Sequence, residues 1–171
     1  MHRYAFKTVK PADLAMLREW LAEPHIRLWW GDPETRLERM IEAMDRPDVT
    51  QLIGLCDKIP FAYLEHYDVH ARGLVHQTTL PPGTRAIEAL VGVSAMMWKG
   101  HGTAVLHRLC VALDRRGIPT LSAEPDVSNN MARHVYGRIG FVEQHLVDTP
   151  QGQAVLMLRK RGVVGEVTAP C

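Results

Sequence analysis

Strand-like alternation and helical stripes succeed one another along this chain in an order that leaves few architectures open. Residues 2–9 alternate as a first strand. Lys10-Pro11-Ala12-Asp13 then opens a helix, with Pro tolerated in its first turn and Asp13 complementing the positive helix end. Leu14, Leu17 and Leu21 form its inner stripe, flanked by Met16 and Trp20. A short helix is predicted over 25–30, and a third over 33–44 with Leu37, Met40 and Ile41 turned inward. Residues 50–56 and 59–67 read as antiparallel strands joined by the turn Asp57-Lys58. The polar stretch 68–83, ending in Pro81-Pro82-Gly83, reads as a mobile loop. A strand over 84–91 follows. After Gly100 and Gly102 comes a helix with Val105, Leu106, Leu109, Cys110 and Leu113 as its buried stripe, stopped by Arg115-Arg116-Gly117. Then come a strand over 119–123 and a helix capped by Ser128, with Met131, Val135 and Ile139 on one face and Gly140 as its end. Two strands, 141–147 and 154–158, flank the turn 148–152, and residues 161–171 read as a frayed tail. Such an order builds a mixed α/β sheet covered by helices.

With 171 residues the chain can bury the core of one domain, expected over 1–160. Its 46% hydrophobic and 23% charged residues exclude a disordered chain. Lys plus Arg number 20 against 19 Asp plus Glu, so there is no basic excess to select nucleic acid or an anionic membrane as partner. The longest apolar stretch, 89–98, is broken by Gly92 and Ser94 and falls short of the roughly 20 residues of a bilayer span. The first residues lack the apolar core of a signal peptide. Cys56, Cys110 and Cys171 are odd in number and lack C-x-x-C spacing, so reduced thiols and a cytoplasmic location are expected.

Trp98-Lys99-Gly100-His101-Gly102-Thr103 lies between a predicted strand and a predicted helix. Glycines one residue apart let backbone approach a ligand closely, with free N–H groups aimed at a phosphate. No Gly-Lys-Ser/Thr follows, and Val105 stands where a dinucleotide fingerprint has its third glycine. The same residues also suit a helix start that needs small side chains for packing. Further on, Ser128-Asn129-Asn130-Met131-Ala132 leads to Tyr136 and Gly140-Phe141, by itself an amphipathic helix with a core tyrosine.

In 84–91, alternation puts Ala86, Glu88 and Leu90 on one face. A glutamate between apolar neighbours in a central strand is costly unless paired or functional, and Arg85 points the other way. His66 and His70 sit in strand and loop without further spaced ligands, so no metal is expected. With no G-x-S-x-G and no activating neighbour for the cysteines, a serine or cysteine nucleophile is not expected either.

Together the two segments resemble the GNAT acetyltransferase superfamily. The glycine loop is similar to its acetyl-CoA pyrophosphate loop, and residues 128–141 to its S-N-x-x-A-x-x-x-Y-x-x-x-G-F element. Asp13-Leu14-Ala15-Met16-Leu17-Arg18-Glu19-Trp20-Leu21, then His25-Ile26 and Trp29-Trp30-Gly31, narrow the resemblance to aminoglycoside 6′-N-acetyltransferases. Lys99-Gly100-His101-Gly102-Thr103 and the late turn before Ala154 fit that branch too, while siderophore-lysine acyltransferases share much of the pattern. The likeness covers about residues 3–160. One departure is Met97, where the superfamily carries a glutamine or arginine three residues before the first loop glycine.

The resemblance implies a mostly antiparallel twisted sheet of about seven strands flanked by helices, and acetyl-CoA as co-substrate without a metal. It implies that Leu90, Gly92 and Val93, at the end of a strand splayed from its neighbour, bind pantetheine and the thioester oxygen through backbone. Trp98, Lys99, Gly100, His101, Gly102 and Thr103 would take the pyrophosphate, and Asn129 the pantetheine arm. Tyr136 matches the tyrosine near the thioester sulfur, hence a general acid, and Glu88 the acidic residue of the active centre, a base acting directly or through water. Glu124 stands where the branch has an aspartate that holds substrate amines. Glu65, Asp68 and Asp126 either add negative potential for a polycationic acceptor or are rim carboxylates. Trp29 and Trp30 either wall the acceptor cleft or plug their helix onto the core.

The expected activity is direct acetyl transfer to a primary amine, the 6′-amine of an aminoglycoside, by a monomer or homodimer. The alternatives are a siderophore-type hydroxylysine or a protein amine as acceptor, and a non-catalytic acyl-CoA-binding module.

Overall fold

The structure, a computed structural model, describes residues 2–165. Strands β1 (Tyr4–Thr8), β2 (Val49–Cys56), β3 (Ile59–Asp68), β4 (Arg85–Val91), β5 (Thr120–Ala123), β6 (Val142–Thr149) and β7 (Gly152–Lys160) form one sheet in the order β1-β2-β3-β4-β5-β7-β6. Neighbours run antiparallel except β4 and β5. A parallel pair needs a crossover, and the helix after the glycine loop supplies it. The Asp57-Lys58 turn has φ values of 49° and 72°, the mirror-image turn that suits the twist of a two-residue hairpin.

Helices cover both faces. On one face α1 (Leu14–Ala22), α2 (Pro24–Trp30) and α3 (Pro33–Ala43) pack Leu17, Trp20, Leu21, Ile26, Leu37 and Met40 against Ile53, Tyr63 and Leu90. A one-turn helix, α4 (Val69–Arg72), follows β3. On the other face α5 (His101–Arg115) buries the predicted stripe Val105, Leu106, Leu109, Cys110 and Leu113, and α6 (Asn130–Arg138) adds Tyr136; Ile139, at its C-cap, joins the same core.

Several expectations shift. Ile41 is 43% exposed and Ala43 is buried in its place, because the inner stripe of α3 runs Leu37, Met40, Ala43. Met131 is exposed, and Tyr136 with Ile139 carries the inner face of α6. Ser128 does not cap α6: its hydroxyl donates to Asp126 Oδ1 at 2.6 Å, and Asn129 Oδ1 accepts from Ala132 N instead. The stretch 68–83 is built into the molecule by α4, a 3₁₀ turn (Val75–Gln77), and buried Val69, Gln77 and Leu80. Past β7, Arg161 N donates to Pro119 O and Val163 O accepts from Arg159, while the tail beyond 165 lies outside the described residues. Cys56 and Cys110 are free and buried, and Cys171 lies outside the described residues. Among the described residues no helix is long and apolar enough to cross a membrane.

Candidate active site

The sheet opens at its centre. β4 and β5 pair only through Arg85 with Leu121 and Ala86 with Ser122, so from Ile87 onward the two strands part. Gly92 N donates to Phe61 O at 2.8 Å, on the β3 side. Strand alternation then turns the main chain of Ile87, Ala89 and Val91 toward the opening. Tyr136, reaching up from α6, donates its hydroxyl to Ile87 O at 3.4 Å, so the phenol stands at the fork. Burial first, then the charge of Glu88, push its pKa well above the ordinary phenol value. This tyrosine is therefore an O–H donor at any physiological pH.

The sheet face under α1–α3 carries two apolar clusters, one on Tyr63 and Leu90, the other on Tyr67, Ala86 and Leu156. Between them lie carboxylates. Glu65 and Glu88 are register partners across β3 and β4. Glu88 Oε2 accepts from Arg36 of α3 at 2.8 Å, and that guanidinium lies 4.4 Å over the Trp30 ring. Glu65 is buried and accepts from Tyr63 at 2.6 Å, Arg72 at 3.1 Å and Gln51 at 3.3 Å. Burial, with Glu88 opposite, raises its pKa above the usual carboxylate range. Glu124, just past β5, pairs with His76 Nε2 at 2.9 Å and accepts from Gln77 at 3.0 Å. Each of these carboxylates thus has a cation or imidazole of the protein on it.

At the entrance of α5, Gly100 adopts φ +83°, which a side chain would disfavour. The first amides of a helix have no intrahelical acceptor and form an anion site with the positive end of the dipole. Gly102 also answers to packing, since a Cβ there would lie 3.1 Å from a Val91 methyl. His101 turns inward, with Nδ1 2.7 Å from the Tyr4 hydroxyl, and offers this entrance only its main chain.

A family model described as an acetyltransferase (GNAT) domain matches residues 10–149. The chain belongs to the GNAT acetyltransferase family. It is 31% identical over 158 residues to an aminoglycoside N(6′)-acetyltransferase type 1 of Klebsiella pneumoniae, covering 87% of this chain and 79% of that protein. It superimposes on aminoglycoside acetyltransferase AAC(6′)-Ib, solved with paromomycin and acetyl-CoA, with TM-score 0.83 and 30% identity over 92% of this chain and 93% of the other. A second structure of that enzyme, with coenzyme A and kanamycin, gives TM-score 0.83 at 29% identity over 93% and 95% of the two chains.

In this GNAT fold the expected residues divide. Tyr136 reaches the fork at Ile87 O, and Glu88 and Leu90 stand on β4 beside it with their side chains on the face under α1–α3. Gly92 and Val93 follow at the end of β4, and Glu65 lies opposite Glu88. Gly92 has a packing reason as well, because a Cβ there would run into the Trp20 indole. Asn129 Oδ1 is engaged as the α6 cap. Trp30 packs edge-on to Tyr63 at 6.2 Å and also carries Arg36, so it plugs α2 and borders the acidic face; Trp29 beside it is half-buried. Asp68 and Asp126 are spent on backbone: Asp68 caps α4, and Asp126 accepts from Ser128 N and its hydroxyl. Sequence reading missed the partners of the three carboxylates: Arg36 on Glu88, Arg72, Tyr63 and Gln51 on Glu65, and His76 and Gln77 on Glu124. Nothing in the chain order links residue 36 to 88 or 72 to 65; only the folded sheet does.

Proposed function

We propose that this acetyltransferase moves acetyl from acetyl-CoA to the 6′-amine of an aminoglycoside. The observation that carries the reading is the coincidence, at one fork in the sheet, of a buried tyrosine hydroxyl, an open strand edge and a face of carboxylates. The likeness to aminoglycoside N(6′)-acetyltransferases over most of the chain supports the acceptor class.

The thioester enters between β4 and β5, where strand edge remains free for pantetheine, and its pyrophosphate meets the amides at the entrance of α5. The acceptor lies on the opposite side, over Glu88 and Glu65. Its ammonium displaces Arg36 from Glu88 and loses a proton to that carboxylate, directly or through water. The neutral nitrogen attacks the thioester carbonyl, the C–S bond breaks, Tyr136 gives its proton to the leaving sulfur, and the proton shed by the new amide nitrogen returns through water to the tyrosinate. Glu124 takes a second ammonium of the acceptor. No covalent enzyme intermediate forms, and Glu88 and Tyr136 carry the proton transfers.

Expression in a susceptible bacterium tests this reading. Resistance to aminoglycosides bearing a 6′-amine, with unchanged sensitivity to those bearing a 6′-hydroxyl, is expected. Equal sensitivity to both, with the protein expressed and folded, rejects the acceptor and turns the search to siderophore-type or protein amines.

A further inference from the structure

Trp98 joins two properties that chains avoid. Its φ of +62° lies in the left-handed region, which is unfavourable for a bulky side chain. Its indole is 82% exposed. Glycine would remove both costs, and Gly100, two residues on, adopts the same region. Backbone outliers of this kind persist where a function uses them. Packing does not explain this one, since an indole so exposed rests on little of the protein.

The position supplies a use. Trp98 and Lys99 immediately precede the glycine cap of α5. Met97, whose thioether offers no donor to a phosphate, leaves the loop without a side-chain anchor there. The reacting end of the donor belongs at the fork beside Ile87 and Tyr136, and the pyrophosphate belongs at the α5 entrance. The nucleotide therefore continues outward past the loop, on the solvent side where the indole stands.

Resting on the acetyl-CoA reading of this helix entrance, we propose that Trp98 stacks on the adenine of the donor and makes the nucleotide half of coenzyme A a specificity determinant. Every base has a π-face, and an exposed aromatic side chain is a platform for one. The left-handed backbone is what presents the ring outward. The consequence is selection for acyl-CoA over acyl-pantetheine donors, which carry the same thioester arm without adenine.

Calorimetry of acetyl-CoA and acetyl-pantetheine against the full chain and three variants tests this. Trp98→Ala and Trp98→Gly are expected to weaken acetyl-CoA about five- to hundredfold while leaving acetyl-pantetheine within about twofold. Trp98→Phe keeps most of the affinity. Trp98→Gly separates stacking from strain, because it relaxes the backbone yet removes the ring. Adenosine 3′,5′-bisphosphate, which lacks the thioester arm, quenches tryptophan fluorescence in the parent protein and not in Trp98→Ala. Acetyl-CoA binding unchanged in Trp98→Ala, or an equal loss on both donors, overturns the stacking role. Failure of the parent protein to bind acetyl-CoA at all overturns the cofactor reading instead, a distinguishable result.

Discussion

Glu65 and Glu88 stand directly opposite each other across β3 and β4, on one face of the sheet. Like charges so placed destabilise a strand pair. The fold offsets this with one guanidinium each, Arg72 on Glu65 and Arg36 on Glu88. The two carboxyls are not equivalent. Glu65 is locked among Tyr63, Gln51 and Arg72, whereas the Glu88 side chain is 36% exposed and is the one proposed to meet the acceptor. The proposed acceptor site is thus an acidic face already neutralised by the protein's own guanidinium groups, and in the proposed mechanism a cationic substrate evicts Arg36.

Glu88→Gln removes the proposed base while keeping the shape of the side chain and an acceptor for Arg36. We expect kcat to fall by about a hundredfold or more, the usual worth of general-base catalysis. Acetyl-CoA affinity, read by calorimetry, stays within about twofold. Unchanged turnover removes Glu88 from the chemistry.

Tyr136→Phe deletes one oxygen and keeps the ring contact with Phe141, whose centroid lies 5.2 Å away. With the proposed donor to the leaving sulfur gone, kcat is expected to fall about a hundredfold or more while the thermal midpoint moves little. Because the phenol titrates far above neutrality, the parent enzyme shows no alkaline limb from Tyr136 near pH 8. A full-rate Phe variant assigns the sulfur's proton to another donor.

Much of the candidate site was legible in the chain. Glu88 announced itself by its cost, a charge at an inward-facing place in a central strand. The αL glycine at Gly100 and the helix register placing Tyr136 were likewise local signals. Illegible were the pairings that need the sheet order. Arg36 reaches Glu88 because α3 packs over β4, and Glu65 meets Glu88 because β3 and β4 are neighbours in that register. The stretch 68–83 looked mobile because its residues are polar, yet Asp68 caps a turn and Val69, Gln77 and Leu80 are buried. Polarity alone does not separate a solvated loop from one that closes over a polar face.

His66 makes stability fall on the acid side. Burial, then the neighbouring Arg85 and Arg116, lower its pKa from 6.5 to about 4, and the neutral ring accepts from Arg85 Nε at 2.7 Å. A depressed folded pKa means that the full contribution is present above the unfolded value and is lost as pH falls through the folded one. Unfolding free energy is therefore expected to drop by about 2–3 kcal/mol between pH 6.5 and pH 4 from this group alone. His66→Gln, which keeps an acceptor for Arg85, flattens that part of the profile in denaturant titrations. A profile identical to the parent's contradicts the assignment.

Gly92→Ala drives a methyl into the Trp20 indole and costs about 1–3 kcal/mol by overpacking. In a Trp20→Leu background the same substitution costs less, a coupling that thermal unfolding of the four proteins measures. Additive losses mean that the two residues do not meet.

Acetyl transfer to a 6′-amine is measured most directly as thiol release from acetyl-CoA with aminoglycosides bearing either a 6′-amine or a 6′-hydroxyl, alongside lysine derivatives. Release only with the 6′-amino compounds, at one thiol per acetylated product, is the predicted result. Acetyl-CoA binding without release on any 6′-amino compound contradicts it.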